Sequence, residues 1–184
     1  MLTWLIRRKL RAFERANGYD ATYMHEVLNT DVSAFLKFSR AIELNTYRKD
    51  VPADLYYAAQ LTSSVAADCG PCTQLGVGFA LASCVAPSTV AAIIKGDEAA
   101  MSSDVALGFR FARAVLARDA EVDALREEIV RRWGQRAVLA LAFGVMASQL
   151  YPTLKYALGH GKACTRVVIA GQAVAPRRLA VGAA

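Results

Sequence analysis

Asp68-Cys69-Gly70-Pro71-Cys72 places two thiols three residues apart, and thiols at that spacing do one of three things. They supply half of a zinc site, cycle between dithiol and disulfide, or fill a core as small apolar side chains. Zinc takes about four ligands, commonly with a second Cys or His pair at matching spacing. Cys84, Cys164, His25 and His160 are what remain, and no two of them are so spaced. No metal is therefore expected, and no cofactor. Gly70 and Pro71 make a turn between the sulfurs, and proline suits the first turn of a helix. A thiol at a helix start meets unpaired N–H groups and the positive end of the helix dipole, which favour the thiolate. These residue types favour a redox dithiol over inert core cysteines.

Cys-Gly-Pro-Cys is also the thioredoxin motif, which requires a buried strand before it. The preceding segment, 54–67, is Leu-, Tyr- and Ala-rich, and Pro52 and Asp54 suit a helix start. A helix therefore delivers the dithiol, and the thioredoxin arrangement is excluded. On that helix Tyr57, Gln60 and Ser64 recur at helical spacing on one face. Tyr57 reads either as a hydrogen-bonding group for substrate or water, or as an ordinary half-buried aromatic. Elsewhere His25-Glu26 is the nearest thing to an acid/base pair, against the plainer reading of His25 as a structural residue. Cys69, Cys72, Tyr57 and His25 are thus the candidate catalytic residues.

An all-helical pattern, a Cys-x-x-Cys at the start of a small-residue helix, and a later helix reading Arg136-Ala137-Val138-Leu139-Ala140-Leu141-Ala142-Phe143 resemble the carboxymuconolactone decarboxylase superfamily, in its AhpD-like (alkylhydroperoxidase D-like) branch. The resemblance runs from Val51 to Gly159, with the dithiol as its specific motif. It implies an all-α, AhpD-like multi-helix bundle with the Cys-x-x-Cys at the N-terminus of a central helix. It also implies a homo-oligomer, trimer or hexamer, and peroxide or disulfide reduction regenerated by an external thiol or disulfide reductant. In that branch the second cysteine attacks, which falls on Cys72, and the first, Cys69, resolves. The branch's proton relay is a histidine four residues after the second cysteine and a glutamate twelve before the first. Those positions are Gly76 and Tyr57 here, so the relay does not carry over and peroxide turnover is expected to be slow. Local electrostatics alone would make Cys69, at the helix entrance, the better exposed nucleophile, so the order of the sulfurs stays open. Two alternatives stand beside this reading. One is a non-redox carboxymuconolactone decarboxylase-like enzyme acting on a small carboxylate; the other is a ligand-binding helical oligomer with a vestigial dithiol.

The elements that must position the dithiol follow from periodicity and punctuation. Residues 2–16 form an amphipathic helix with Leu2, Leu5, Ile6, Leu10 and Phe13 on one side, stopped by Gly18. Further helices are predicted over 20–28, from a cap at Thr30 or Asp31 to 47, and over 52–67, 71–85, 87–94, 101–116, 122–133 and 136–158. The organisation expected is N-terminal helices over 1–50, the helical core over 51–159, and a partly ordered tail over 160–184, in a single domain. Within that tail Val167-Val168-Ile169 is β-prone.

Composition bounds partners and place. The 184 residues are 55% hydrophobic and 21% charged, an apolar surplus that suits subunit interfaces. The uncharged stretches 69–94 and 137–154 are interrupted by Pro71 and Pro87 and by Gln149 and Pro152, so core helices are expected and no membrane span. The apolar start runs into Arg7-Arg8-Lys9 too soon for a secretory signal, and four cysteines make no disulfide framework, which points to the cytoplasm. The net charge of +6 is carried by scattered basic pairs without interleaved aromatics, so no nucleic-acid partner is expected.

Overall fold

The computed structural model describes residues 2–177. Among these, nine α-helices follow one another: α1 (Leu2–Asn17), α2 (Thr22–Thr30), α3 (Val32–Ile42), α4 (Ala53–Ala66), α5 (Gly70–Ala82), α6 (Pro87–Lys95), α7 (Ser103–Ala117), α8 (Glu121–Trp133) and α9 (Gln135–Ala157). The fold is all-α, and Cys69 and Cys72 lie at the start of α5, as the sequence predicts. The helix starts have local causes. Asp31 caps α3 by accepting from the backbone N–H of Ser33 and Ala34 at 2.6 and 3.2 Å, and Ser102 caps α7 through Val105 N–H. The helix expected to run from Asp31 to 47 ends at Ile42 and tightens into a 3₁₀ turn, Glu43–Thr46.

α4 turns no face to solvent along its middle: Leu55 to Val65 are all buried. Such a helix must be surrounded, and it packs on α5, α6, α7 and α9, while α8 lies against α7 and α9. A Cβ on Gly108 would collide with the Leu55 carbonyl, so only glycine lets the α4 and α7 backbones approach this closely. On the α9 side the contact carries buried polar groups, each satisfied. Ser63 Oγ donates to the Val145 carbonyl at 3.0 Å and Ser148 Oγ to the Gln60 carbonyl at 3.2 Å.

The N-terminal helices build a second, smaller core of Tyr19, Tyr23, Met24, Leu28 and Phe35 against Leu75 of α5 and Tyr151 and Leu154 of α9. α1 buries none of its residues fully. It is tied down by Arg7 to Asn29 at 2.6 Å and by Glu14, which accepts from Ala21 N–H at 3.1 Å and meets His25 at 3.3 Å.

Of the segment expected as a tail, residues 160–177 pack against α5 and α6, and residues 178–184 lie outside the described residues. β1 (Val167–Ile169) and β2 (Gln172–Val174) pair antiparallel around Ala170 and Gly171, both at positive φ, a two-residue hairpin turn. Val167, Ile169 and Val174 point into the main core. The Gln74 side chain donates to and accepts from the Val168 backbone at 3.0 and 2.7 Å, fastening the hairpin to α5. One helix among the described residues, α9, is long and apolar enough to cross a membrane, and half of that stretch is buried inside the protein.

Candidate active site at the Cys69 and Cys72 pair

Cys69 is the N-cap of α5, with extended backbone, and Cys72 sits on the helix's first turn behind Gly70 and Pro71. Their Cα atoms are 5.3 Å apart and the two are joined as a disulfide, a separation usual for that bond. Their surroundings differ. Cys69 is fully buried, because the chain after α9 crosses over it. Gly70 N–H donates to the Lys162 carbonyl at 3.0 Å, Cys164 N–H to Asp68 Oδ1 at 2.9 Å, and Tyr156 Oη to the Asp68 carbonyl at 2.9 Å. Cys72 is half-buried and faces a cavity. The expectation from local electrostatics, that Cys69 is the better exposed sulfur, is therefore corrected: its place at the helix entrance puts it under residues 162–164.

The cavity has a volume of about 780 Å³ and lies between the two cores, walled by α1, α2, α3, α4, α5 and α9. Tyr57, Gln60 and Ser64 all line it, as their spacing on α4 predicts. The Tyr57 hydroxyl does not address the sulfurs. It accepts from Arg48 Nη1 at 2.6 Å and shares a hydrogen bond with Ser83 Oγ at 2.9 Å. The Arg48 guanidinium lies over the Tyr56 and Tyr57 rings, 4.7 and 5.0 Å from their centres.

Position 76, where the resemblance would place a histidine, is closely packed. A Cβ there would stand 3.0 Å from Leu61 Cδ2 and 3.1 and 3.2 Å from the Gln60 amide oxygen and nitrogen. Gln60 fills the volume that a side chain at position 76 would need. His25 and Glu26 face other partners: His25 Nε2 is 3.3 Å from Glu14, and His160 Nε2 is 2.6 Å from Glu26. Both pairs tie chain segments together.

What reaches Cys72 is Tyr19, from the loop between α1 and α2. Its hydroxyl is 4.0 Å from Cys72 Sγ. Lys155 Nζ of α9 donates to that hydroxyl at 3.3 Å and lies 4.7 and 5.0 Å from the Tyr19 and Tyr23 ring centres. Lys155 is only 3% exposed and pairs with no carboxylate among the described residues. Burial holds its ammonium below the usual lysine range, and burial lifts the Tyr19 phenol above the usual tyrosine range. A cation and a phenol thus stand near the half-buried sulfur, an arrangement able to stabilise a thiolate and to supply a proton once the pair is reduced. Sequence reasoning did not single out either residue. A signal existed: Lys155 continues the buried stripe of Gly144, Ser148 and Pro152 on a helix otherwise nearly free of charge.

Among the described residues no group of three or more His, Cys, Asp or Glu is placed to hold a metal ion. No family profile, curated protein or solved structure matches this chain.

Proposed function

We propose that this chain is a thiol oxidoreductase that reduces peroxides or disulfides through Cys69 and Cys72. One observation carries the reading: the accessible sulfur, Cys72, faces a cavity and is backed by Tyr19 and a buried Lys155, while its partner lies at disulfide distance beneath the surface. The resemblance to the AhpD-like branch supports the same order of sulfurs. The Cys72 thiolate attacks a peroxide oxygen, the S–O bond forms, and the O–O bond breaks. The departing alkoxide takes its proton from Tyr19, which Lys155 resupplies. The Cys69 thiol then attacks the Cys72 sulfenic acid, the S–S bond forms, and water leaves. An external dithiol restores the pair by exchange and is itself oxidised to a disulfide. The cytoplasm, with its thiol reductants, is the compartment that suits this cycle.

With dithiothreitol as reductant and cumene hydroperoxide as substrate, the wild-type chain is expected to consume peroxide catalytically. Peroxide loss no faster than that of Cys72→Ser would reject the activity. The reading also takes the working form as a homo-oligomer, trimer or hexamer. Leu139 and Met146, 42% and 51% exposed one above the other on α9, are the apolar surface it would cover. Light scattering that returns a monomer at micromolar concentration removes this part.

A further inference from the structure

The charged side chains lining the cavity are Lys9 and Arg48, and among the described residues no carboxylate lines it. Arg48 stands at the rim, exposed to solvent on one side, and forms no ion pair among the described residues. Its contacts are the Tyr57 hydroxyl, the Asn45 carbonyl at 3.3 Å, and the faces of two tyrosine rings. Those contacts hold the guanidinium in place and leave N–H donors free. Behind it the walls are hydrocarbon and aromatic: Ile6 and Leu10 of α1, Phe35 of α3, Leu75 and Phe79 of α5. A volume of about 780 Å³ lies within the range of sites that enclose an organic ligand. One further group waits in the same cavity. Gln60 is 7% exposed, and among the described residues its Oε1 has no hydrogen-bond partner. An orphaned buried acceptor is costly, and a ligand O–H would satisfy it.

We propose that this cavity binds an amphipathic carboxylate, its hydrocarbon body among the α1, α3 and α5 side chains and its carboxylate on Arg48. Resting on the oxidoreductase reading, the substrate class is an organic hydroperoxide bearing a carboxylate, with its –OOH at Cys72 and its O–H donated to Gln60 Oε1. Reduction leaves the corresponding alcohol, whose O–H keeps that bond. The oxygen removed passes to Cys72 as sulfenic acid and then departs as water, with the electrons drawn from the external dithiol.

Binding is measured on the Cys69→Ser/Cys72→Ser chain, which has no redox chemistry, by displacement of 11-(dansylamino)undecanoate. Dodecanoate is expected to bind about tenfold or more tightly than dodecanol, the margin a charge-assisted hydrogen bond supplies. Arg48→Gln is expected to erase that margin and leave dodecanol unchanged, and Leu75→Trp to weaken both. Equal affinity for dodecanoate and dodecanol in the Cys69→Ser/Cys72→Ser chain with Arg48 intact overturns the proposal without relying on any change at Arg48. Failure of either to bind, or a margin that survives Arg48→Gln, also overturns it. Peroxide turnover without dodecanoate binding removes the ligand proposal alone; binding without turnover removes the redox reading alone.

Discussion

Replacing Lys155 with methionine is expected to slow the reaction of reduced Cys72 with iodoacetamide and with hydroperoxide by about 10- to 100-fold at neutral pH. Lys155 Nζ is 3.3 Å from the Tyr19 oxygen, which is itself 4.0 Å from Cys72 Sγ. The ammonium is therefore no more than about 7 Å from Sγ, and a unit charge at ~7 Å from a thiolate at an effective dielectric of about 20 contributes ~2 kcal/mol, which is more than a tenfold change in equilibrium. Losing it raises the pH midpoint of Cys72 alkylation, a readout that a packing role would not move. Tyr19→Phe removes the donor and keeps the ring, so it slows peroxide reduction more than alkylation, which needs no proton delivered to a leaving alkoxide. A Lys155→Met chain with an unchanged alkylation profile contradicts the assignment.

The same substitution is expected to leave the thermal midpoint at or above that of the wild type. Methionine nearly conserves volume, and a buried ammonium with no ion-pair partner among the described residues is a cost to the fold that the more distant Asp20 only partly offsets. The pH dependence gives a second check. Because burial lowers the Lys155 pKa in the folded chain, the unfolded chain holds that proton more tightly. The lysine's penalty is fully present below the folded pKa, and stability climbs as pH rises from there toward the unfolded value near ~10.4. Tyr19, raised by burial, acts in the opposite sense above pH ~10, where the unfolded chain loses its phenol proton first. In Lys155→Met the climb should vanish and the later fall remain.

The two cysteine variants should fail in different ways. Cys72→Ser removes the sulfur that faces the cavity, and peroxide consumption should drop to background. Cys69→Ser keeps that sulfur and removes its partner, so without an added thiol each chain should react once and stop as a sulfenic acid that dimedone traps. Neither forms the internal disulfide, yet only Cys69→Ser is labelled. Labelling of Cys72→Ser instead would make Cys69 the attacking sulfur, against its burial beneath residues 162–164.

The helix that carries the dithiol was legible in sequence because its cues are local. Pro52 and Asp54 mark a start, an unbroken apolar run marks burial, and Gly70-Pro71 marks a turn into a new helix. The cap of α3 was readable to within one position, Thr30 or Asp31, since it depends on residues two and three positions away. The placement of Tyr57, Gln60 and Ser64 on one cavity wall followed from helical periodicity alone. What stayed hidden depends on contacts distant in sequence. Cys69 is buried by residues some ninety positions later, and Tyr19 meets Lys155 across 136 positions. Arg48 is close to Tyr57 in sequence, but its guanidinium lies there only because the 3₁₀ turn after α3 brings the chain back over α4. The hairpin showed only as a β-prone triplet, because its second strand, Gln172–Val174, has little apolar pattern of its own.

The most direct test of a cycling dithiol is peptide mapping. The fully reduced chain is treated with one equivalent of hydroperoxide, quenched with N-ethylmaleimide, digested and read by mass spectrometry. A Cys69 to Cys72 linkage that dithiothreitol reverses is expected, with Cys84 and Cys164, both free thiols, recovered as alkylated peptides. A bridge through Cys84 or Cys164, or four alkylated cysteines and no bridge, would contradict the account.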